Sequence, residues 1–250
     1  MRAFLLIVLM AIGYVSAMHV GLRHESKRTL AMEPAIVAII DTGLSASFST
    51  RKAKLCATGH RNFTSVTETR NIWNTIDPVP IDNHGHGTNI AGLIQTYAGE
   101  SNNYCLLILK YYDSANSKDD TEDSTIKAID YATKIGAKYI NYSSGGVSSS
   151  REERRAVKEF LDSGGKFIAA AGNEKSDLAL NPYYPAMIDD RVIVVGSIEP
   201  DGKIANYSNW GIRVNRWELG SKRTGFGVTQ SGTSQATAVA TGKIVRKDLK

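Results

Sequence analysis

Residues 35–43 read Ala35-Ile36-Val37-Ala38-Ile39-Ile40-Asp41-Thr42-Gly43. The first six are apolar and mostly β-branched, which is typical of a strand buried on both faces of a parallel sheet. Asp41 follows at the carboxyl end of that strand, where open α/β sheets build their sites. Asp-Thr-Gly is also a common way to open a turn, so this stretch alone leaves a turn and a functional site as alternatives.

Further apolar runs alternate with helical patterns along the chain. We predict strands near residues 54–58, 105–109, 138–142, 166–171 and 191–196, and helices near 86–97, 123–135, 151–161 and 236–245. Strands that alternate with helices imply right-handed crossovers and a parallel sheet covered on both faces. The predicted fold class is α/β, with a mostly parallel, twisted sheet of about seven strands and helices on both faces.

Composition and charge fit this fold class. The chain has 250 residues, of which 42% are hydrophobic and 22% charged, which suits one domain with a substantial core. The formal net charge of +5 comes from 30 basic and 25 acidic side chains that are interspersed along the chain. We therefore expect no nucleic-acid partner.

The N-terminus has the pattern of an export signal. Met1-Arg2 is positively charged, residues 3–14 are apolar, and Val15-Ser16-Ala17 has the small residues of a cleavage site. We predict a signal peptide over residues 1–17 and a short polar leader over residues 18–34. An uncleaved anchor is the alternative, although the apolar run is short for a membrane span. The expected location is secreted or periplasmic, and the mature protein is not expected to span a membrane.

Two segments carry side chains suited to catalysis. Residues 231–237 read Ser231-Gly232-Thr233-Ser234-Gln235-Ala236-Thr237, which places the Ser234 hydroxyl where a tight turn enters a helix that Thr233 is expected to cap. A serine hydroxyl needs a base to take its proton. His86 heads a predicted helix, whose dipole is expected to keep the imidazole partly neutral. His84 and His86 also suggest a metal site, but glycines flank them and no third ligand is evident.

Five motifs end predicted strands or begin predicted helices, so all of them can meet at the carboxyl edge of the sheet. They are Asp41-Thr42-Gly43, His86-Gly87-Thr88 with Ala91-Gly92, Ser143-Ser144-Gly145-Gly146, Ala170-Ala171-Gly172-Asn173-Glu174 and Gly232-Thr233-Ser234-Gln235-Ala236. In these motifs and their order, the sequence resembles the subtilisin-like serine peptidases. The resemblance implies a peptidase domain over residues 35–250.

The resemblance also implies roles for four side chains. Asp41, His86 and Ser234 would form the triad of a serine endopeptidase, which cleaves peptide bonds through an acyl-enzyme intermediate. The side-chain amide of Asn173 and the backbone N–H of Ser234 would bind the oxyanion. A catalytically silent peptide-binding pseudopeptidase and an esterase with the same triad are the alternative functions.

A polypeptide substrate would pair with Ser143, Ser144 and Gly145 by β-augmentation. Gly145 would leave room for the first specificity pocket. Tyr112, with its neighbour Tyr111, would line the opposite wall, and a buried aromatic pair is the alternative. No cofactor is expected.

Departures from the family pattern lead to further expectations. Residues 95–105 are too few for the calcium-binding loop of many relatives, so no metal ion is expected. The chain ends one helix after Ser234, so either the fold tolerates a trimmed edge or a partner or oligomer covers it. Cys56 and Cys105 are the two cysteines of the sequence. The family resemblance implies that their strands are neighbours in the sheet, which would allow a disulfide. Two free thiols are the alternative.

Overall fold

The computed structural model describes residues 33–47, 49–65, 69–70, 75–114 and 121–250. The predicted signal peptide, and all of the predicted leader except Glu33 and Pro34, lie outside these ranges. No helix within the ranges is both long and apolar enough to cross a bilayer.

A seven-stranded parallel sheet forms the centre of the fold. Its strands are β1 (Ala35–Asp41), β2 (Arg61–Asn62), β5 (Tyr104–Lys110), β6 (Tyr139–Tyr142), β7 (Lys166–Ala170), β8 (Ile193–Ile198) and β9 (Arg216–Leu219). They lie in the order β2-β5-β1-β6-β7-β8-β9, and every neighbouring pair is parallel. The predicted α/β class with about seven strands is thereby confirmed. Two short antiparallel pairs stand apart, formed by β3 (Thr69–Arg70) with β4 (Val79–Pro80) and by β10 (Arg223–Gly225) with β11 (Val228–Gln230).

Helices cover both faces of this sheet. They are α1 (His86–Ala98), α2 (Thr121–Lys134), α3 (Arg151–Asp162) and α4 (Thr233–Asp248). Successive side chains of a strand point to opposite faces, so Val37 and Ile39 pack in the core with α1 and α4. Ala38 and Ile40 pack in the core with α2 and α3. Burial on both faces explains why residues 35–40 are continuously apolar.

One strand prediction differs from the structure, and two strands of the sheet, β2 and β9, had no prediction. The segment predicted as a strand at 54–58 makes only one parallel bridge, between Leu55 and Leu106, because the carbonyl of Ala57 turns away to accept a hydrogen bond from Ile76 N. Strand β9 was not predicted. Its Glu218 pairs with Arg216 and Lys243, and such a charged edge strand has no continuous apolar run.

A disulfide joins Cys56 and Cys105, with their Cα atoms 4.8 Å apart and a sequence separation of 49. The backbone supports this contact, because Cys56 N donates a hydrogen bond of 3.0 Å to the carbonyl of Leu106. The closed loop contains α1 and therefore His86.

Candidate active site

Asp41 and His86 form the central contact of the candidate site. Asp41 is the last residue of β1, is 2% exposed, and accepts a hydrogen bond from Thr42 N at Oδ1. The same oxygen lies 2.8 Å from Nδ1 of His86. A carboxylate only accepts, so Nδ1 carries the proton and Nε2 is left as the basic nitrogen of the neutral ring.

Asp82 fixes the turn that delivers His86 to this contact. Gly85 precedes α1 with a left-handed φ of 92°, which glycine adopts at little cost. The Asp82 carboxylate accepts hydrogen bonds from the backbone N–H groups of His84, Gly85 and Thr88, at 2.9, 2.7 and 2.9 Å. Sequence reasoning assigned Asp82 no role, although a short acidic side chain just ahead of a helix was a usable signal.

The electrostatic environment of His86 differs from the one expected from the helix dipole. Burial lowers the pKa of the imidazole, but the charge of Asp41, its hydrogen bond and the charge of Asp82 together raise that pKa above the usual 6.5. The two carboxylates outweigh the dipole because a full negative charge in contact with the ring exceeds a partial positive charge at the helix end. The two carboxylates thus act against the dipole, which was expected to hold the ring partly neutral.

Ser234 lies at the same edge of the sheet. It is the second residue of α4 and is 9% exposed. Its hydroxyl donates a hydrogen bond of 2.8 Å to the carbonyl of Ser143, and the Ser143 hydroxyl donates one of 3.0 Å to the carbonyl of Ser234. Thr233 was expected to cap the helix. It is instead the first residue of α4, and Gly232 is at the N-cap position.

Asn173 meets the start of α4 through its side chain. Its Oδ1 accepts a hydrogen bond from Thr233 N at 2.8 Å and another from the Thr233 hydroxyl at 3.1 Å. With Oδ1 held in this way, the Nδ2 hydrogens of the amide face away from Thr233 and are the ones that can bind a ligand.

Buried Asn209 holds the loop that carries Asn173. Its Nδ2 donates to the carbonyl of Ala171 at 2.8 Å, and its Oδ1 accepts from the N–H groups of Glu174 and Ser176, both at 3.0 Å. Asn209 was not predicted, and no pattern around it in the sequence indicated this contact.

The expected substrate segment borders an open cavity of about 580 Å³. Its lining includes Tyr111, Tyr112, Ser144, Gly145 and Glu153. The Tyr111 hydroxyl donates a hydrogen bond of 2.7 Å to Ser144 Oγ, and burial raises the pKa of Glu153. Tyr111 is buried and Tyr112 half-buried, with their ring centres 6.2 Å apart, so the pair is both partly buried and part of the cavity wall.

Gly145 borders a space that is already occupied. A Cβ atom built at Gly145 would lie 2.4 Å from Cε1 of Tyr183 and 2.4 Å from the carbonyl oxygen of Tyr184. Glycine is needed here because of this close approach. Within the described ranges, no group of three or more His, Cys, Asp or Glu side chains has the geometry of a metal site.

A parallel α/β sheet that gathers a carboxylate, an imidazole and a serine hydroxyl at one edge has the architecture of a serine hydrolase. The model of the subtilase family, Peptidase_S8, matches residues 33–246 of the chain. The chain belongs to this family of serine-type endopeptidases.

Individual relatives agree with this family. The chain is 34% identical to Subtilisin DY of Bacillus licheniformis over 182 aligned residues. This alignment covers 70% of this chain and 60% of that protein. It is 32% identical over 181 residues to the Major intracellular serine protease of Bacillus subtilis (strain 168), covering 69% of this chain and 54% of that one. The match thus spans less than two thirds of either relative. The crystal structure of a cold adapted subtilisin-like serine proteinase aligns with a TM-score of 0.64 and 25% identity, over 83% of this chain and 72% of that one.

Proposed function

We propose that this protein is a serine endopeptidase that hydrolyses peptide bonds through a triad of Asp41, His86 and Ser234. The observation that carries the proposal is the 2.8 Å contact between Asp41 Oδ1 and His86 Nδ1, at the sheet edge where the Ser234 hydroxyl also lies. Asp41 holds the imidazole in the tautomer with a basic Nε2 and stabilises the positive charge that forms on the ring.

The reaction begins with a rotation of the Ser234 side chain. Its hydroxyl leaves the Ser143 carbonyl and turns to Nε2 of His86, since hydrogen bonds between catalytic groups often form only with substrate bound. His86 takes the proton while Oγ attacks the scissile carbonyl carbon. His86 then gives the proton to the leaving amine, and a water molecule, activated by the same imidazole, hydrolyses the acyl-enzyme.

Two N–H donors would stabilise the oxyanion of the tetrahedral intermediate. They are the Nδ2 group of Asn173 and the backbone N–H of Ser234. The Asn173 orientation is supported by the two hydrogen bonds from Thr233 to its Oδ1. Ser234 is in the first turn of α4, where the positive end of the helix dipole also favours negative charge.

We further propose that the chain is exported, with residues 1–17 as the signal peptide, 18–34 as a leader and 35–250 as the peptidase domain. The disulfide between Cys56 and Cys105 supports an oxidising compartment. N-terminal sequencing of protein recovered from the medium of an expressing culture checks this, and a first residue of Met18 is expected. Retention of the intact N-terminus in the cell would contradict it.

Labelling with a serine-directed phosphonate, combined with casein and short-chain ester assays, tests the proposed activity. We expect the phosphonate to modify Ser234 and to stop casein hydrolysis. Ser234→Ala should lower turnover by about 10⁶-fold. Ser231→Ala is the matched control and should keep full activity, because this hydroxyl is exposed and, among the described residues, accepts a hydrogen bond from Lys222 N alone.

Each alternative function has its own outcome in the same assays. Ester hydrolysis without casein hydrolysis would indicate an esterase. Peptide binding with neither hydrolysis nor labelling would indicate a pseudopeptidase. Labelling at Ser231 would overturn the assignment of the nucleophile.

A further inference from the structure

The sheet topology determines where a substrate side chain must go. Strands β6 and β7 are parallel neighbours, and the segments that follow them, residues 143–146 and 171–173, flank Ser234. We call the substrate residue that supplies the scissile carbonyl the acyl-side residue. When its carbonyl carbon lies at Ser234 Oγ and its carbonyl oxygen at Asn173, the acyl-side residue lies between the two segments. Its side chain therefore points into the gap between Gly145 and Gly172.

The ring of Tyr183 fills this gap. A Cβ atom at Gly145 would lie 2.4 Å from Cε1 of the ring, and a Cβ atom at Gly172 would lie 3.1 Å from Cδ2. Cε1 and Cδ2 are on opposite sides of the ring, so the ring spans the gap from one glycine to the other. A larger residue at Gly145 would collide with the ring, whereas at Gly172 the ring is in tight contact and the collisions would be with Asn209 Nδ2 and Glu174 Oε2, at 2.3 and 2.5 Å from the Cβ atom.

The surrounding structure holds Tyr183 in this position. Its half-buried ring packs against the core on the α2 and α3 side of the sheet. The next residue, Tyr184, exchanges two backbone hydrogen bonds with Gly146, of 2.8 and 2.9 Å. The carbonyl of Tyr183 accepts a further bond of 3.0 Å from Met187 N. The backbone bonds fix the position of the main chain at Tyr183, and the packing of the ring against the core favours its place in the gap.

The Tyr183 hydroxyl is uncharged at neutral pH. Burial, with a smaller contribution from the charge of Glu174, raises its pKa to about 12. Tyr183 thus brings no negative charge to the gap, and the carboxylate that borders it is that of Glu174, whose Oε2 would lie 2.5 Å from a Cβ atom at Gly172.

We propose that Tyr183 closes the first specificity pocket and restricts the acyl-side residue of the substrate to glycine, alanine or serine. The proposal rests on the proposed endopeptidase function and deepens it, because it names the substrate class. The open cavity beside Ser144 lies on the Tyr111 side of residues 143–146. Its described lining does not include Gly172 or Asn173, so it offers no space for the side chain of the acyl-side residue.

Peptidyl anilides that differ only in the acyl-side residue test this proposal. We expect wild-type kcat/KM for alanine to exceed that for phenylalanine or leucine by at least about tenfold, as pocket size discriminates side chains on this scale. Tyr183→Ala should raise the ratio of kcat/KM for the phenylalanine substrate to that for the alanine substrate at least tenfold. Tyr183→Phe is the matched control, because it keeps the ring and should keep the wild-type order.

Binding of the same peptides to Ser234→Ala, measured by fluorescence, tests the pocket without turnover. The alanine peptide should bind more tightly than the phenylalanine peptide, and adding Tyr183→Ala should remove the difference. Equal binding in both variants, or wild-type cleavage after phenylalanine as fast as after alanine, would overturn the role of Tyr183. Selective binding with no hydrolysis by the wild type would instead contradict the endopeptidase function and leave the pocket assignment standing. Circular dichroism confirms that each variant is folded.

Discussion

The hydroxyl group of Thr42 donates a hydrogen bond of 2.9 Å to Oδ1 of Asp82. The same hydroxyl oxygen accepts a hydrogen bond of 2.9 Å from Gly87 N. Thr42 thus ties the turn that follows Asp41 to the first turn of α1. Because Asp82 also holds the residues before His86, the proposed base and its carboxylate partner are positioned by one buried network.

Asp82→Asn should shift the pH dependence of the reaction. His86 acts as a base only when neutral, so kcat/KM falls as the pH drops through its pKa, which lies above 6.5. Removing the negative charge of Asp82 lowers that pKa, and the acidic limb of the pH profile should move to lower pH. The measurement is kcat/KM on one peptide substrate from pH 5 to 9.

The Asp82→Asn variant should also be less stable by about 1–3 kcal/mol, because one of the two carboxylate oxygens becomes an NH2 group and can no longer accept hydrogen bonds. In the wild type both oxygens accept: Oδ1 from Thr42, His84 and Gly85, and Oδ2 twice from Thr88. Asp201→Asn, at an exposed site, is the control and should leave the profile unchanged. An unmoved acidic limb in Asp82→Asn would show that the charge of Asp82 does not act on His86.

Asn173→Ala should lower kcat by about 10²–10³-fold with little change in KM, because the oxyanion exists only in the transition state. Steady-state kinetics on a peptide anilide measures both parameters. Asn181→Ala serves as the control, since the side chain of this exposed asparagine donates to Ser176 Oγ and its backbone bond to Asp177 is kept in the variant. A change confined to KM would remove Asn173 from the oxyanion site.

Local sequence patterns were enough to predict much of the fold. The apolar run at residues 35–40 indicates a strand buried on both faces, whatever its neighbours are. The small residues after Ser234 indicate a helix that packs closely, and α4 forms there. Strand β9 was not predicted because it is an edge strand with charged residues. Its strand character depends on pairing with β8.

Contacts between distant segments could not be predicted from such patterns. Asn209 supports the loop of Asn173 although its sequence separation from Glu174 is 35. Nothing in the residues around Tyr183 indicates that its ring would lie between Gly145 and Gly172. These contacts depend on where three separate loops meet at the sheet edge, which only the folded chain defines.

Removing the disulfide should destabilise the protein without changing the reaction. A cross-link over 49 residues restricts the unfolded chain, and loop-closure entropy gives a contribution of about 4 kcal/mol. The double variant Cys56→Ala, Cys105→Ala should therefore unfold at lower denaturant concentration, with unchanged kcat per folded molecule. Reduced and oxidised wild-type protein provide the matched comparison. Equal midpoints for all three proteins would contradict a stabilising role.

His60 lies next to this disulfide and makes two hydrogen bonds that only the neutral ring can make. It is 5% exposed. Its Nδ1 accepts a hydrogen bond of 3.1 Å from Ile108 N, and its Nε2 donates one of 2.9 Å to the carbonyl of Cys56. Burial lowers the pKa of His60 below 6.5, against the opposing effects of the Cys56 carbonyl and the charge of Asp77.

Stability should therefore depend on pH through His60. A folded-state pKa below the unfolded value means that the unfolded chain binds the proton first, so this contribution is complete above pH 6.5 and is lost as the pH falls towards the folded pKa. We expect the free energy of unfolding, measured by denaturant titration between pH 8 and 5, to fall less steeply in His60→Gln than in the wild type. The raised pKa of His86 has the opposite effect on stability, but it is present in both proteins and cancels when their pH dependences are subtracted. The remaining difference is due to His60. His84→Gln, at an exposed site, should keep the wild-type slope, whereas identical slopes in wild type and His60→Gln would show that His60 does not titrate on unfolding.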